Sequence, residues 1–288
     1  EILSDLQFTG RYRVPLPFSA QLRQHLRLGA FVTRSEGVRL QDADGQWFLF
    51  GRTDDTMKVA GKRVLVVGGG PNVTNAVNSS VNLINPHAPA TTTGNLPSAR
   101  ADHTATLLPS GEVLLVGGRD GSTLLSSVAK ATGTGVVAQT SLATARYGHS
   151  ATLLASGDVL VAGGFGLLPD GGPVVLTSAE LFVADGGVLP VGDLAQGRAF
   201  HGAVLEPAGT ALLCGGKQTS GGAGLQSCER YNPDSQAFTN GPAMVNGRRD
   251  FALLIQPSGR IVAVGGPELA ARVETEGFDS FREAAARA

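Results

Sequence analysis

The sequence predicts an all-β fold, a β-propeller of about five repeated units. Three observations predict it: a phrase that recurs about every 50 residues, apolar strand-like runs that end in Gly-Gly, and 40 glycines among 288 residues. That glycine content is about twice the usual frequency of roughly 7%. Short strands at regular spacing, separated by glycine turns, are typical of propellers.

The repeat is clearest in four segments that align without a gap. Each begins with an arginine, and a pair of glycines starts 17 residues later every time. Successive arginines are 46, 52 and 50 residues apart. The repeated positions are Arg100, His103, Gly117, Gly118, Arg146, His149, Gly163, Gly164, Arg198, His201, Gly215, Gly216, Arg248, Gly265 and Gly266. The spacing within each unit is constant, whereas the spacing between units varies. This indicates rigid strand pairs joined by loops of variable length.

Each unit predicts three strands. The first strands are expected at 105–108, 151–154, 203–205 and 252–255. Second strands at 113–116, 159–162, 211–214 and 261–264 are continuously apolar, as expected for strands covered on both faces. Third strands are expected at 80–86, 127–132, 178–185 and 227–233. The Gly-Gly after each second strand suits a place where a side chain would block the neighbouring unit.

A fifth unit lies ahead of these four. Its second strand starts at Val64, and Gly68 precedes Gly117 by 49 residues. We therefore expect a propeller at 64–278, a short helix at 279–288 and an atypical segment at 1–63. Because the last unit is short, the ring either stays open or is closed by the N-terminal segment. Open sheet edges would favour self-association.

Charge and composition exclude several classes of function. The net charge is −1, whereas a general nucleic-acid binder needs a basic surface. No apolar run reaches 18 residues, so no membrane span is expected. Seventeen of the 47 charged residues fall within the first 63, which suggests two modules. No cofactor is predicted.

The R-x-x-H-x-A opening and the V-G-G ending resemble the kelch family over about 64–275, and most of all its bacterial branch. The resemblance implies a propeller, and kelch rings of six or seven blades are the norm, so five look truncated. The late tryptophan typical of kelch blades is missing. Phe251 stands where the other units have histidine.

Two short resemblances lie before the repeats. Residues 42–64 resemble the hinge region of adenylate-forming acyl-CoA synthetases, which implies ATP contact for Arg52 and a hinge role for Asp54. Residues 33–48 resemble the N-terminal part of class III aminotransferases. Neither implies activity, since a phosphate loop and a large catalytic domain are absent. Residues 1–63 are either a mosaic of such pieces or a degenerate sixth blade with an outer strand in VRLQDADGQW.

The repeated polar residues each allow two interpretations. His103, His149 and His201 either share a metal ion or hold local loops by hydrogen bonds. The four arginines either ring a channel mouth and attract anions or pair with carboxylates and carbonyls inside the blades. Cys214 and Cys228 either form a disulfide, which would indicate an oxidising compartment at the cell envelope or outside the cell, or remain buried thiols.

Three functions follow from these interpretations. The first is a non-enzymatic scaffold that binds a protein or carbohydrate through the variable loops 165–177 and 217–226. The second is a chimeric or truncated chain with no independent activity. The third is a metal-dependent, oxidase-like enzyme built on the histidines.

Overall fold

The structure is a computed structural model and describes residues 31–32, 38–41, 47–50, 56–59, 63–69, 79–85, 88–132, 134–256 and 259–266. Over these residues the fold is all-β, and every regular element is a strand. The helix expected at 279–288 and the end of the last unit after Gly266 lie outside the described residues.

The strands form a small N-terminal sheet and five further sheets, here called sheets I to V. The N-terminal sheet consists of β1 (Phe31–Val32), β2 (Val38–Gln41) and β3 (Trp47–Phe50). Sheet I consists of β4 (Thr56–Val59), β5 (Arg63–Val67), β6 (Ser80–Asn85) and β7 (Ala88–Asn95). Sheet II consists of β8 (Thr104–Leu107), β9 (Val113–Val116), β12 (Val128–Ala131) and β13 (Val136–Gln139).

Sheets III to V repeat this plan. Sheet III consists of β14 (Ser150–Leu153), β15 (Val159–Ala162), β18 (Ala179–Phe182) and β19 (Val188–Pro190). Sheet IV consists of β20 (Gly202–Leu205), β21 (Ala211–Cys214), β22 (Cys228–Asn232) and β23 (Ala237–Asn240). Sheet V consists of β24 (Ala252–Ile255) and β25 (Ile261–Val264). Two small hairpins follow glycine pairs: β10 (Arg119–Asp120) with β11 (Thr123–Leu124), and β16 (Phe165–Leu167) with β17 (Pro173–Val175).

Each four-stranded sheet is an antiparallel meander, in which strands adjacent along the chain pair directly, apart from the small hairpins. The first and second strands are joined by a tight turn whose glycine has positive φ, for example 85° at Gly111 and 92° at Gly157. The second strands β9, β15 and β21 are buried at every position. Their continuous apolar runs therefore match strands that are covered on both faces.

The sheets pack face to face in chain order. The first strands of sheets I to V lie against one another in succession. Leu160 and Ala162 on one face of sheet III pack against Ala211 and Leu213 of sheet IV. On its other face, Val159 and Val161 pack against sheet II. Separate apolar cores therefore hold sheet III to sheets II and IV, because alternate strand residues point to opposite faces.

The structure differs from the sequence analysis at the N-terminal boundary. Sheet I begins at Thr56, because β4 pairs with β5, so the sheet extends into the segment that we set apart at 1–63. Within that segment VRLQ forms β2 and pairs with β3. Arg52 and Asp54, the residues that carried the hinge resemblance, lie outside the described residues.

Candidate functional site

The repeated arginines are structural groups inside the sheets. Arg100, Arg146, Arg198 and Arg248 are at most 1% exposed. In each, Nη1 donates to the carbonyl of the glycine 17 residues later, at 2.7–3.1 Å. In sheets II to IV, Nη1 also donates to a serine carbonyl just before the third strand. The side chain thus donates to the buried glycine carbonyl at the strand end, and it adds a second donor to the serine carbonyl, which already accepts the N–H of that same glycine.

Two glutamates complete this arrangement in sheets III and IV. Glu180 accepts from Arg146 Nη2 at 2.8 Å, and its carboxylate also accepts the Ala143 and Thr144 N–H groups. Glu229 accepts from Arg198 Nη2 at 2.8 Å and binds the corresponding two amides. Burial lowers the pKa of Arg146, while Glu180 opposes this shift. Each glutamate therefore ties the arginine to the loop that enters the sheet.

Two of the three repeated histidines link neighbouring sheets. A hydrogen bond of 2.9 Å joins His149 Nε2 to Thr104 Oγ1 on sheet II, and one of 2.8 Å joins His201 Nε2 to Ser150 Oγ on sheet III. Neither ring nitrogen of His103 has a hydrogen-bond partner among the described residues. His149 and His201 thus act at two different junctions.

These imidazoles are neutral at ordinary pH. Burial lowers the pKa of His103 and His201 to about 3, and the neighbouring arginine of each repeat adds to the shift. Burial and Arg146 also hold the pKa of His149 well below its usual value. Where side chains are described, no group of three or more His, Cys, Asp or Glu residues is arranged to hold a metal ion.

The glycine pairs allow these loops to approach. A Cβ on Gly117 would lie 2.5 Å from the Arg146 carbonyl oxygen, and one on Gly118 would lie 2.7 Å from that of Ala101. Both glycines have positive φ, 59° and 97°. The Gly118 N–H donates to the Arg146 carbonyl at 2.8 Å, which joins sheet II to the loop that enters sheet III. The expectation that a side chain here would block the neighbouring unit therefore has a steric basis at Gly117, whereas Gly118 is crowded by Ala101 and His103 of its own unit.

A chain of backbone hydrogen bonds crosses the sheets beside the histidines. Gly148 N–H donates to the Asp102 carbonyl, Phe200 N–H to that of Gly148, and Asp250 N–H to that of Phe200, at 2.7–3.0 Å. All four residues have left-handed φ, between 52° and 61°. A non-glycine residue adopts this conformation only at an energetic cost. The hydrogen bonds between the sheets therefore hold Asp102, Phe200 and Asp250 in it.

An aromatic cluster lies at the same end of the sheets. Tyr147 stacks on Phe165 with centroids 5.2 Å apart, and Phe200 meets both rings at 6.1 Å. Lys217 Nζ lies 4.7 Å from the Phe200 centroid, and Arg119 lies 5.1 Å from that of Tyr147. We call these five residues the aromatic-cation cluster.

The two cations of this cluster differ in whether a carboxylate pairs with them. Arg119 Nε donates to the Asp102 carboxylate at 2.6 Å. Lys217 Nζ donates to the Ser220 carbonyl at 3.2 Å, and no carboxylate pairs with it in the part of the chain that is described. Burial raises the pKa of the Tyr147 hydroxyl, and Arg119 opposes the shift.

The hairpin β16–β17 extends the cluster with exposed apolar surface. Phe165 begins the hairpin, and Leu167 and Leu168 near its tip are 51% and 46% exposed. The hairpin lies within the variable segment 165–177. We call the cluster together with Leu167 and Leu168 the hairpin face.

Part of this face, Phe165, Leu167, Leu168 and Lys217, lies in the loops 165–177 and 217–226 that the sequence predicts as binding loops. That Arg119, Tyr147 and Phe200 join them was not predicted. The cluster residues follow either the repeated arginine or the glycine pair, and isolated bridges join the two positions, as between Tyr147 and Phe165 or Ala199 and Lys217. The sequence signal that could have revealed this face is the one or two positions after each repeated arginine or glycine pair, where the residue type differs from repeat to repeat.

The two cysteines form a disulfide. Cys214 and Cys228 stand opposite each other in β21 and β22 and are 14 residues apart in sequence. Both are buried, and they pack against Leu253 and Ala263 of sheet V. The same register position in sheet II is occupied by Val116 opposite Val128. The disulfide closes the base of the variable loop 217–226.

No family model matches this chain, and no curated protein matches it. Among solved structures, 296 chains match it. One, described as "Structure of YjhT", has a TM-score of 0.63 and 11% identity, and the match covers 88% of this chain and 91% of that chain. At this identity the likeness shows the fold alone. Within the described residues, no helix has the length and apolar character needed to cross a membrane.

Proposed function

We propose that the chain is a kelch-like β-propeller that acts as a non-enzymatic binding scaffold and contacts a protein partner through the hairpin face. The propeller assignment is supported by five sheets that pack in chain order. Sheets II to V are each entered by the R-x-x-H loop or its variant. The N-terminal strands β1 to β3 are candidates for an additional, degenerate blade.

The observation that carries the proposal is the division between constant and variable positions. Each buried arginine donates to the carbonyl of the glycine 17 residues later in sheets II to V, so these positions serve the fold. The positions beside them differ from sheet to sheet and gather Tyr147, Phe200 and Lys217 at one end. A scaffold with repeated cores and variable adjoining loops is the usual arrangement for recognition.

The composition of the face favours a protein partner. Arg119, Tyr147 and Phe200 are partly exposed and belong to residue types that are enriched at protein interfaces, whereas Phe165 is buried and supports them from below. The exposed leucines beside them add apolar area. Leu167 and Leu168 are neighbours in sequence, and each is about half exposed. An acidic group on the partner would pair with Lys217.

The test compares capture of partners by matched variants. The double variant Leu167→Ser/Leu168→Ser should lose a partner that the parent chain retains from an extract of the source organism. Leu189→Ser is the control, because Leu189 is 49% exposed on β19, outside the hairpin face. Mass spectrometry identifies the captured proteins, and thermal unfolding checks that both variants fold.

A partner that is kept by Leu189→Ser, lost by the double variant and weakened by Lys217→Glu supports the proposal. Identical sets of captured proteins from all the variants would contradict it. Loss of the same partner from Leu189→Ser would place the interface elsewhere.

A further inference from the structure

Arg100 differs from the equivalent arginines of sheets III and IV in one respect. It is 0% exposed and makes the shared bonds, from Nη1 to the Gly117 and Ser127 carbonyls and from Nη2 to Ser127 Oγ at 2.9 Å. In sheets III and IV the same Nη2 group also reaches a carboxylate. No carboxylate pairs with Arg100 among the described residues.

The missing carboxylate follows directly from the sequence. Glu180 and Glu229 stand two residues after the serine that binds the arginine, whereas Ala129 stands two residues after Ser127. Ala129 is 1% exposed, so the position is as buried as in the other sheets. A methyl group thus replaces a side chain that carries a methylene and a carboxylate beyond its Cβ.

The loop that enters sheet II also lacks one of the two backbone N–H donors that bind the glutamate in sheets III and IV. Glu180 accepts N–H groups from the residues three and two positions before its arginine. The corresponding residues in sheet II are Pro97 and Ser98, and proline has no N–H to donate. One donor, the Ser98 N–H, therefore remains from the loop, and Ser98 is only partly buried.

A buried guanidinium without a counter-charge is costly. Nε is buried without a hydrogen-bond partner in Arg100 and equally in Arg198, so Nη2 is the group that distinguishes Arg100. We propose that Arg100 binds a small monovalent anion, such as chloride or a one- or two-carbon carboxylate, at the place where Glu180 and Glu229 put their carboxylates. Nη2 of Arg100 and the Ser98 N–H are its donors. This inference is independent of the hairpin face.

The first test is thermal unfolding of the full chain at constant ionic strength, with formate or chloride replacing the bulky anion gluconate. The unfolding midpoint should rise by about 4 °C between 1 and 100 mM formate, since a ligand of the folded state stabilises it. Ala129→Glu supplies an internal carboxylate and should remove the rise. Glu229→Ala creates a second such site and should enlarge it.

Equal midpoints in gluconate, formate and chloride would overturn the proposal, and so would a rise that persists unchanged in Ala129→Glu. A second measurement does not depend on how that variant folds. Crystals of the parent chain soaked in bromide should show anomalous density within hydrogen-bond distance of Arg100 Nη2. Bromide absent from that position, while bound elsewhere, would also overturn the proposal.

Discussion

The imidazole of His201 lies 2.8 Å from the hydroxyl of Ser150, which belongs to the preceding sheet. The next junction has the same geometry without a hydrogen bond. There Gly202 takes the place of the hydroxyl residue, Phe251 takes the place of the histidine, and a Cβ on Gly202 would lie 3.2 Å from the Phe251 ring. The two positions therefore change together, from a polar pair to an apolar pair.

This relationship predicts a strong coupling between the two positions. Ser150→Ala should lower the free energy of unfolding by about 1–3 kcal/mol, because it leaves a buried imidazole nitrogen without a partner. His201→Phe alone should be destabilising because the ring meets Ser150. The double variant Ser150→Gly/His201→Phe copies the natural apolar pair and should be more stable than the sum of the single changes. Urea unfolding of all the variants measures the coupling, and strict additivity would contradict it.

The buried histidines predict acid sensitivity. Their pKa values are about 3 for His103 and His201 in the folded chain, below the usual 6.5, so the unfolded chain binds more protons between those pH values. The free energy of unfolding should therefore be at its full value above pH 6.5 and should fall as the pH drops towards 3. Each histidine contributes a slope of about 1.4 kcal/mol per pH unit well inside this window.

Urea unfolding between pH 7 and 4.5 measures this slope. The double variant Ser150→Gly/His201→Phe is the control, because it removes one of the buried histidines and should reduce the slope by about 1.4 kcal/mol per pH unit. The same slope in the parent chain and the variant would show that His201 does not titrate on unfolding.

The disulfide predicts a loss of stability on reduction. Cys214 and Cys228 enclose a short loop, and for a loop of about 15 residues the loss of the bond costs about 3 kcal/mol. The double variant Cys214→Val/Cys228→Val copies the pair at Val116 and Val128 and keeps the core filled. It should cost less than Cys214→Ser/Cys228→Ser, which buries two hydroxyls. Chemical denaturation with and without reductant compares the four states, and an unaffected midpoint on reduction of the parent chain would contradict the prediction.

Crowding at the glycine pair predicts a position-specific penalty. Gly111 and Gly118 both have positive φ, 85° and 97°. A Cβ on Gly111 meets nothing within 4 Å, whereas one on Gly118 would lie 2.8 Å from the Cβ of His103. Gly111→Ala should therefore cost about 1 kcal/mol, and Gly118→Ala should cost about 2 kcal/mol more because the loop that enters sheet II, with Ala101 and His103, must move away from the glycine. Thermal unfolding distinguishes the two, and equal costs would show that only φ matters.

Much of sheets II to V could be predicted from particular residues. The continuous apolar runs from Val113 and Val159 give the second strands, and the glycines that follow mark where the next loop approaches. The fourth strands, such as Val136–Gln139 and Val188–Pro190, were missed. They are short and partly exposed at the outer edge, so no burial pattern marks them.

For the candidate site, too, some features could be predicted from the sequence and others could not. The sequence by itself determined the repeat, the all-β class and the positions of the arginines, histidines and glycine pairs, since these depend on local spacing and on residues that the backbone geometry requires. Only the tertiary structure decided that the arginines are buried and bind carbonyls, that Ser150 is the partner of His201, and that Tyr147, Phe165 and Lys217 meet. The contact between Ser150 and His201 joins residues 51 positions apart and exists only because successive sheets pack face to face. Each arginine instead binds carbonyls of its own sheet, 17 or more residues further along the chain, so its burial depends on how the strands of one sheet come together.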